Sequence, residues 1–377
     1  MGNSRKSLHI FLCSNTAWYL YNFRASTIVS FIADGHSVSC LAPYDSYVRN
    51  LQELGVRFIP IELDGENTSI LREFMSFFSI YKMMREEKPD IVFNFTIKMN
   101  IYAGLCSKIN SVPFVNNISG LGTVFIHDSL FYKIIQRLYS FSNKSAKCVF
   151  FQNQDDRKLF HSKAGFQGKK TVVLPGSGVD LAYFQRSPLP KASEFTFLMV
   201  SRLIADKGVR EFVGAAKRVK SKYPHTRFIL LGPSGVSNKS AILQDELLHW
   251  QGEGVVEFPG GTDDVRPWIR LCNILVLPSY REGMPKTVLE AAAMGRPAIV
   301  TDVPGCRQAV VDGVTGWLCK VHDIDSLADQ MIAVMQPQVD VAAFAERAIL
   351  RVRQEFSHDK VIQSYMDCLR FAKNRAS

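Results

Sequence analysis

Short apolar runs alternate along the chain with longer stretches of helical hydrophobic spacing. The runs Leu8–Ser14 and His36–Ala42 have the length of strands, and the segment between them is expected to form a helix that ends near Gly35. A strand, a helix and a second strand in this order predict a parallel sheet. Residues 68–87 predict an amphipathic helix. Its apolar face is formed by Leu71, Phe74, Met75, Phe78 and Tyr81.

The alternation continues through the first half of the chain and then starts afresh. Further strands are expected at 56–61, 89–95, 113–117, 148–151 and 171–174, with helices at 101–109 and 129–143. The second series has strands at 195–200, 227–231, 255–258, 272–278, 298–301 and 316–319, with helices at 209–221, 241–251, 264–271 and 287–294. Pro/Gly-rich segments separate the two series. We therefore predict an α/β fold of two doubly wound, Rossmann-like domains, 1–187 and 188–355, that face a central cleft.

Composition places the chain among ordinary globular proteins. A length of 377 residues is too great for one core, and 47% of the residues are hydrophobic. The 8 cysteines occur singly inside apolar runs, which predicts reduced core thiols in a cytosolic protein. No run is long enough to span a membrane and no secretory leader is seen, so we expect a soluble or peripheral protein.

The charge is basic and uneven. The formal net charge is +10, and the first 187 residues hold about +7 of it. Nucleic acid, an anionic membrane and phosphorylated substrates are all compatible partners, and the charge alone does not choose among them.

Two carboxylates, Glu282 and Glu290, follow the apolar run 272–278. The run predicts a buried strand, and a helix is expected to begin near Thr287, because Thr287 and Glu290 have the spacing of a capping box. Glu282 precedes that helix and is directed into the crevice at the end of the strand, where open α/β sheets hold phosphate-bearing ligands.

Two cations follow the first strand of the second domain. Arg202 and Lys207 are suited to neutralise a diphosphate without a metal, although a solvated loop is the alternative interpretation. Asp323 and Asp325 form a D-x-D string after the last strand, where a surface position is favoured over a metal site. The residues themselves therefore indicate no metal.

Taken together, these motifs resemble the glycosyltransferases of family 4, which are retaining, sugar-nucleotide-dependent enzymes of the GT-B fold. The motifs are Ser201-Arg202 with Lys207-Gly208, the run Pro278–Pro285 leading to Glu290-Ala291, Gly295-Arg-Pro, Gly305 and Asp312–Gly316. The resemblance implies that Glu282 is catalytic and contacts the transferred sugar, that Arg202 and Lys207 hold the donor diphosphate, and that Glu290 binds the ribose. It also implies that a helix in 356–377 crosses back to the first domain. The remaining implied donor-site residues are Gly232, Gly283, Met284 and Pro285.

The first domain departs from the family pattern. Many members have a histidine near the reacting sugar, and the corresponding segment here reads Asn117–Gly122. His127 is close in sequence but begins the next helical region, which disfavours it as that group. The family pattern therefore does not identify the acceptor-binding residues of this chain.

Acceptor contacts are expected at strand ends of the first domain. The candidates are Asn22, Arg24, Lys98 and Asn100. The Lys98-Met-Asn100 segment resembles enzymes that extend polyprenyl-diphosphate-linked sugars. The basic and aromatic residues of 131–139, with Lys144 and Lys147, are suited to rest on an anionic membrane, the alternative being a core helix with a solvated face.

The sequence thus predicts a hexosyltransferase of surface glycan assembly. It is expected to move a hexose or N-acetylhexosamine from a UDP-sugar to a polyprenyl-diphosphate-linked saccharide, with no metal or other cofactor and no nucleic-acid partner. We expect it in the cytoplasm, peripheral on the inner face of the cytoplasmic membrane. One alternative is another GT-B enzyme, such as a sugar-nucleotide epimerase or a phosphorylase. A basic nucleic-acid-binding protein is the other, although no recognised binding motif supports it.

Overall fold

The chain divides into two compact units. In the computed structural model, the described residues are 7–63, 70–121, 125, 130–164, 166, 170–190, 194–235, 238 and 240–373. The first unit is Met1–Ser177 with Asp359–Ser377, and the second is Gly178–His358.

A seven-stranded parallel sheet forms the centre of the first unit. Its strands are β1 (His9–Cys13), β2 (Ser37–Ala42), β3 (Arg57–Pro60), β4 (Ile91–Phe95), β5 (Phe114–Ile118), β6 (Cys148–Phe151) and β7 (Thr171–Val173). Its helices are α1 (Ala17–Ala33), α2 (Val48–Glu53), α3 (Ile70–Glu87), α4 (Ile97–Ile109), α5 (Leu130–Ser145) and α6 (Gln154–Ala164). The strand order is β3-β2-β1-β4-β5-β6-β7, so the winding reverses between β1 and β4.

The second unit repeats the doubly wound pattern with six parallel strands. They are β8 (Thr196–Val200), β9 (Arg227–Leu231), β10 (Glu257–Gly260), β11 (Ile274–Leu277), β12 (Ala298–Thr301) and β13 (Gly316–Cys319). The helices are α7 (Val209–Lys222), α8 (Gln244–Gly252), α9 (Arg266–Leu271), α10 (Lys286–Ala293), α11 (Cys306–Ala309), α12 (Ile324–Val334) and α13 (Val341–Glu355). The order β10-β9-β8-β11-β12-β13 reverses between β8 and β11.

Apolar strands and their covering helices form the cores, as the alternation predicts. The strands β4, β5, β8 and β11 are buried along their whole length, as expected for parallel strands covered on both faces. All eight cysteines are buried and free, in agreement with the prediction of core thiols.

The boundary between the units lies earlier than the predicted 187/188. Val179 bridges Ser357, and its N–H donates to the Phe356 carbonyl at 2.8 Å. The buried Arg296 guanidinium donates to the carbonyls of Ser187 (2.9 Å) and Pro188 (2.7 Å). These bonds attach residues 178–188 to the second unit, because a guanidinium buried there needs carbonyl acceptors.

The last helices belong to the first unit. They are α14 (His358–Cys368) and α15 (Arg370–Lys373). The Tyr365 ring is fully buried and contacts Phe93 and Phe150 edge-on at centroid distances of 5.5 and 5.2 Å. Its hydroxyl donates to Asn117 Oδ1. The end of the chain therefore completes the core of the first unit.

A buried network of asparagines lies beneath the carboxyl ends of β4 and β5. Asn94 Nδ2 donates to Asn116 Oδ1 at 2.9 Å, and Asn116 Nδ2 donates to Asn143 Oδ1 at 3.0 Å. Asn100 Nδ2 donates to the Asn117 carbonyl at 2.7 Å. Each buried amide stabilises this arrangement only while its partners are present, since an unpaired buried polar group costs about 1–3 kcal/mol.

The predicted apolar row of α3 is largely exposed. Four of its five residues, all except Tyr81, are more than half exposed. The helix buries Ile80 and Met84 instead, which lie in its second half. Helical spacing alone identified an apolar stripe but not the side of the helix that faces the sheet. The predicted first residues of α3 and α5, Thr68 and Ser129, lie outside the described residues.

Removing the Tyr365 ring tests the role of α14. Tyr365→Ala is expected to lower the free energy of unfolding of the first unit by about 3–5 kcal/mol, since it leaves a cavity among aromatic rings and deprives Asn117 of a donor. Urea unfolding would measure the change. Lys360→Ala, at an exposed position of the same helix, is the control and should change stability by less than about 0.5 kcal/mol. Equal, small effects of the two changes would contradict the assignment.

Candidate active site

Three loops meet at the carboxyl edge of the second sheet, where its winding reverses. The first follows β8 and contains a 3₁₀ turn at Ala205–Lys207. The second follows β11 and leads into α10, and the third follows β12 and leads into α11. Because β8 and β11 are adjacent parallel strands, the first two loops leave the sheet side by side. This is the position at which doubly wound sheets bind ligands.

The side chains of Lys207 and Glu282 are paired at this edge. Lys207 Nζ lies 2.5 Å from Glu282 Oε1. The side chains are 19% and 12% exposed, so the pair is partly shielded but reachable from solvent. The structure thus brings together two predicted site residues that are 75 positions apart in the chain.

Backbone contacts fix the position of the Glu282 loop. The Tyr280 N–H donates to the Asp206 carbonyl at 2.9 Å, and the Glu282 N–H donates to the Pro304 carbonyl at 3.2 Å. The first bond connects the loop to the Lys207 turn, and the second connects it to the loop after β12. The Lys207–Glu282 geometry is therefore set by main-chain structure on both sides.

Two glycines make these approaches possible. A Cβ at Gly208 would lie 2.1 Å from the Pro278 carbonyl oxygen, and a Cβ at Gly305 would lie 2.4 Å from the Glu282 carbonyl oxygen. Both residues also have positive φ, +74° and +84°, which favours glycine. A larger residue at either position would prevent the loops from approaching each other this closely.

Tyr280 secures the loop further. Its hydroxyl donates to Glu211 Oε1 at 2.8 Å, and its ring lies 3.8 Å from the His322 ring. Burial and the Glu211 carboxylate together raise the pKa of the Tyr280 hydroxyl, so that it stays protonated and remains a donor. Sequence reasoning missed Glu211, which lies in the first turn of α7 and carries no motif signal.

Arg202 lies on the same loop as Lys207, and Gly232 lies on the neighbouring loop after β9. Arg202 is exposed, and among the described residues its guanidinium forms neither a hydrogen bond nor an ion pair. Gly232 follows β9, and a Cβ there would lie 1.9 Å from the Ser201 carbonyl oxygen. Gly232 therefore allows the loop after β9 to approach the loop that bears Arg202.

The predicted capping box at Thr287 is wrong. Helix α10 begins at Lys286, its N-cap is Pro285, and no side chain caps it. Thr287 lies inside the first turn, so its hydroxyl does not occupy the capping position. Glu290 lies in the helix as predicted, but its carboxylate is buried, with Oε1 3.2 Å from Lys286 Nζ. Burial raises the pKa of Glu290, and the Lys286 ammonium opposes that rise.

The other predicted donor residues form the turn between Glu282 and α10. Gly283 and Met284 follow the carboxylate directly, and Met284 packs against the core of the second unit. Pro285, with φ of −74°, starts the helix. The turn thus places backbone groups next to the Lys207–Glu282 pair.

The D-x-D string has a structural role. Asp323 caps α12 by accepting from the Ser326 N–H at 2.8 Å, and Asp325 pairs with Arg218 at 2.5 Å. Within the described ranges, no group of three or more histidine, cysteine or acidic residues is arranged to hold a metal ion.

The predicted acceptor residues have four different environments in the first unit. Asn22 Nδ2 donates to the Trp18 carbonyl at 3.0 Å, and Lys98 Nζ pairs with Glu73 Oε1 at 2.7 Å. Both remain partly exposed. His127 and Gly122, which belong to the segment considered for the missing histidine, lie outside the described residues.

Arg24 and Asn100, the other two predicted acceptor residues, are buried. Arg24 is 2% exposed; its guanidinium lies 4.7 Å from the Phe95 ring centroid and donates to the Tyr19 hydroxyl at 3.1 Å. Asn100 is fully buried in the asparagine network, where it also donates to the Tyr139 hydroxyl at 2.7 Å. Polar residues at strand ends looked accessible in the sequence, but tertiary packing has enclosed these two.

Family models match both halves of the chain. A model described as "Glycosyl transferase 4-like" matches residues 9–153, and one described as "Glycosyl transferases group 1" matches residues 194–337. These matches, on a chain with two doubly wound sheets, define a sugar transferase. The chain belongs to the family 4 glycosyltransferases of the GT-B type.

Named relatives and solved structures agree with this assignment. The chain is 26% identical over 348 residues to an N,N'-diacetylbacillosaminyl-diphospho-undecaprenol alpha-1,3-N-acetylgalactosaminyltransferase of Campylobacter jejuni, covering 88% of this chain and 90% of the relative. It is 26% identical over 294 residues to a UDP-Gal:alpha-D-GlcNAc-diphosphoundecaprenol alpha-1,3-galactosyltransferase of Escherichia coli, covering 72% and 73%. The crystal structure of Anabaena HepE in complex with UDP has a TM-score of 0.80 at 19% identity, covering 96% of this chain and 99% of that one. This last likeness confirms the predicted fold class.

Gly305→Ala tests whether loop closure sets the site. The added Cβ would push the Glu282 carbonyl away, and displacement of a reacting group by about 1 Å costs on the order of a hundredfold in rate. We expect a loss of that size in the rate of sugar transfer.

Gly254→Ala is the matched control. Gly254 has a similar φ of +66° but open space around it. Both variants place an alanine at a positive φ, which costs about 1–3 kcal/mol of stability, and only Gly305→Ala should lose activity. Equal activities of the two variants would show that the contact with Glu282 is unimportant.

Proposed function

We propose that this glycosyltransferase moves a hexose or N-acetylhexosamine, with retention, from a UDP-sugar to a polyprenyl-diphosphate-linked saccharide in surface glycan assembly. The observation that carries the proposal is the Lys207–Glu282 pair at the reversal point of the second sheet. The relatives named above use undecaprenyl-diphosphate-linked substrates, and one of their names includes a UDP-sugar. They are transferases by name, which favours transfer over epimerisation or phosphorolysis.

Charge at the site suits a diphosphate leaving group. When the bond between the anomeric carbon and the diphosphate oxygen breaks, negative charge develops on the diphosphate. Lys207 is held beside this position by the 3₁₀ turn, and the exposed Arg202 is available to form paired hydrogen bonds with phosphate oxygens. Fixed cations of this kind stabilise the transition state without a metal.

Glu282 has a different role from the two cations. In the structure, Glu282 Oε1 accepts a hydrogen bond from the Lys207 ammonium. A bound diphosphate competes for that ammonium, and Glu282 then contacts the transferred sugar. The pair thus keeps the lysine oriented before the donor arrives.

Glu290 is proposed to bind the ribose of the donor. Its carboxylate lies in the second turn of α10, which follows the Glu282 loop. Lys286, one turn earlier, favours the charged form of the carboxylate against the effect of burial. A carboxyl oxygen of Glu290 can accept from a ribose hydroxyl in either protonation state.

The acceptor is assigned to the first unit. Asn22 and Lys98 remain the proposed contacts there, since both are partly exposed. Arg24 and Asn100 instead support the elements that carry them, α1 and the start of α4.

We place the enzyme in the cytoplasm, peripheral on the inner face of the cytoplasmic membrane. A polyprenyl tail keeps the proposed acceptor in a bilayer, and the basic balance of the chain favours an anionic surface. In the described part of the chain, no helix combines the length and the hydrophobicity needed to cross a membrane.

Lys207→Ala and Glu282→Gln test the proposal. Each is expected to lower the rate of sugar transfer about 100- to 1000-fold, the usual loss when one preorganised charged group is removed. The measurement is release of UDP from a panel of UDP-sugars in the presence of membrane lipid extracts.

Lys217→Ala and Glu253→Gln are the matched controls. Lys217 and Glu253 form an exposed ion pair at 2.7 Å on the same unit. Removing that pair should leave the rate unchanged. Wild-type turnover by both site variants, with their folds intact, would refute the assignment.

A further inference from the structure

Helix α5 has its polar side inward and an apolar side outward. Its buried positions include Gln136, Ser142 and Asn143, which is part of the asparagine network. Its exposed apolar residues are 45% to 74% exposed. They are Leu130, Ile134, Leu138 and Phe141. Their spacing of three to four residues aligns them in one row along the helix.

A row of cations lies beside this apolar row. Lys133, Arg137 and Lys144 are exposed and recur at helical spacing. Helix α5 contains no acidic residue. An apolar row next to a purely basic row is typical of helices that lie in a membrane interface.

Helix α3 exposes a second apolar row in the same helical layer. The residues Leu71, Phe74, Met75 and Phe78 are 56% to 70% exposed. Helix α4 packs against both α3 and α5. At its end, Ile109 is exposed and Lys108 Nζ lies 4.2 Å from the Phe141 ring centroid. The three helices therefore form one layer whose exposed side chains include both rows.

The acidic residue beside the α3 row is neutralised. Glu73 Oε1 accepts from Lys98 Nζ at 2.7 Å, and Oε2 accepts from the Tyr102 hydroxyl at 2.5 Å. Its charge is thereby compensated within the layer, so it does not oppose an anionic surface as a free carboxylate would.

We propose that the exposed side of α3 and α5, the docking face, lies against an anionic phospholipid bilayer. The proposal rests on the proposed function, since it names the surface through which the enzyme reaches a lipid-linked acceptor. Exposed apolar rows of this size mark interaction sites. The exclusively basic charge of α5 selects lipid headgroups over a second copy of the same face, which would carry the same charge.

Binding to vesicles tests the docking face. The full-length protein is mixed with phosphatidylcholine vesicles with or without phosphatidylglycerol, and the bound fraction is measured by flotation. We expect binding only with phosphatidylglycerol. An apolar variant, Ile134→Ser with Leu138→Ser and Phe74→Ser, and a charge variant, Lys133→Gln with Arg137→Gln and Lys144→Gln, should each bind at least tenfold more weakly. Each lost cation should account for about fivefold.

Leu248→Ser with Leu350→Ser is the control. These leucines are 54% and 55% exposed on the second unit. The control should bind vesicles like the wild type. Unchanged vesicle binding by the face variants, or an equal loss in the control, would overturn the proposal. A lipid-free wild-type dimer that the face variants convert to monomers would also overturn it.

Affinity for UDP separates this proposal from the proposed function. The face variants should bind UDP like the wild type, and an unchanged circular-dichroism spectrum with unchanged urea unfolding shows that the first unit, which carries the substitutions, is folded. Wild-type vesicle binding without transfer to any acceptor would refute the proposed function and leave the docking face standing. Transfer to a detergent-solubilised acceptor without vesicle binding would refute the docking face and leave the proposed function standing.

Discussion

The pairing of Lys207 with Glu282 is the interaction on which the account of this site depends. It joins the loops that follow two adjacent strands, β8 and β11, at the point where the winding of the sheet reverses. Backbone bonds from Tyr280 and Glu282 hold the loops, and Gly305 allows them to close. The pair gives each side chain a partner before a substrate is present. A diphosphate that enters the site therefore competes with Glu282 for the Lys207 ammonium.

A different constraint acts in the first unit, where polar side chains near the strand ends are buried and need hydrogen-bond partners. Its asparagines bond to one another and to Tyr139 and Tyr365, so none of these contacts depends on solvent. This network draws the polar side of α5 inward and leaves its apolar side exposed. The asparagine network therefore both stabilises the unit and determines that the apolar side of α5 is exposed.

The sequence predicted the features that follow from local patterns. Apolar runs marked the strands, and the positions of Lys207 and Glu282 after two of those strands indicated a shared site. Features set by tertiary packing were not predictable in this way. Asn100 resembled a surface residue because its burial depends on partners far away in the chain. The start of α10 was misplaced because Pro285, rather than Thr287, occupies the N-cap. The apolar row of α3 was predicted but its exposure was not, because periodicity does not show which face a helix buries.

The central claim is that Glu282 and a donor diphosphate compete for the same lysine. Calorimetric titration of UDP into the wild type, Lys207→Ala, Glu282→Gln and the double variant tests it most directly. The account predicts that Glu282→Gln binds UDP more tightly than the wild type, because Lys207 is released, and that the gain disappears when Lys207 is also replaced. If Glu282→Gln weakened UDP binding as much as Lys207→Ala, and the two losses were additive, the pair would not have the role described.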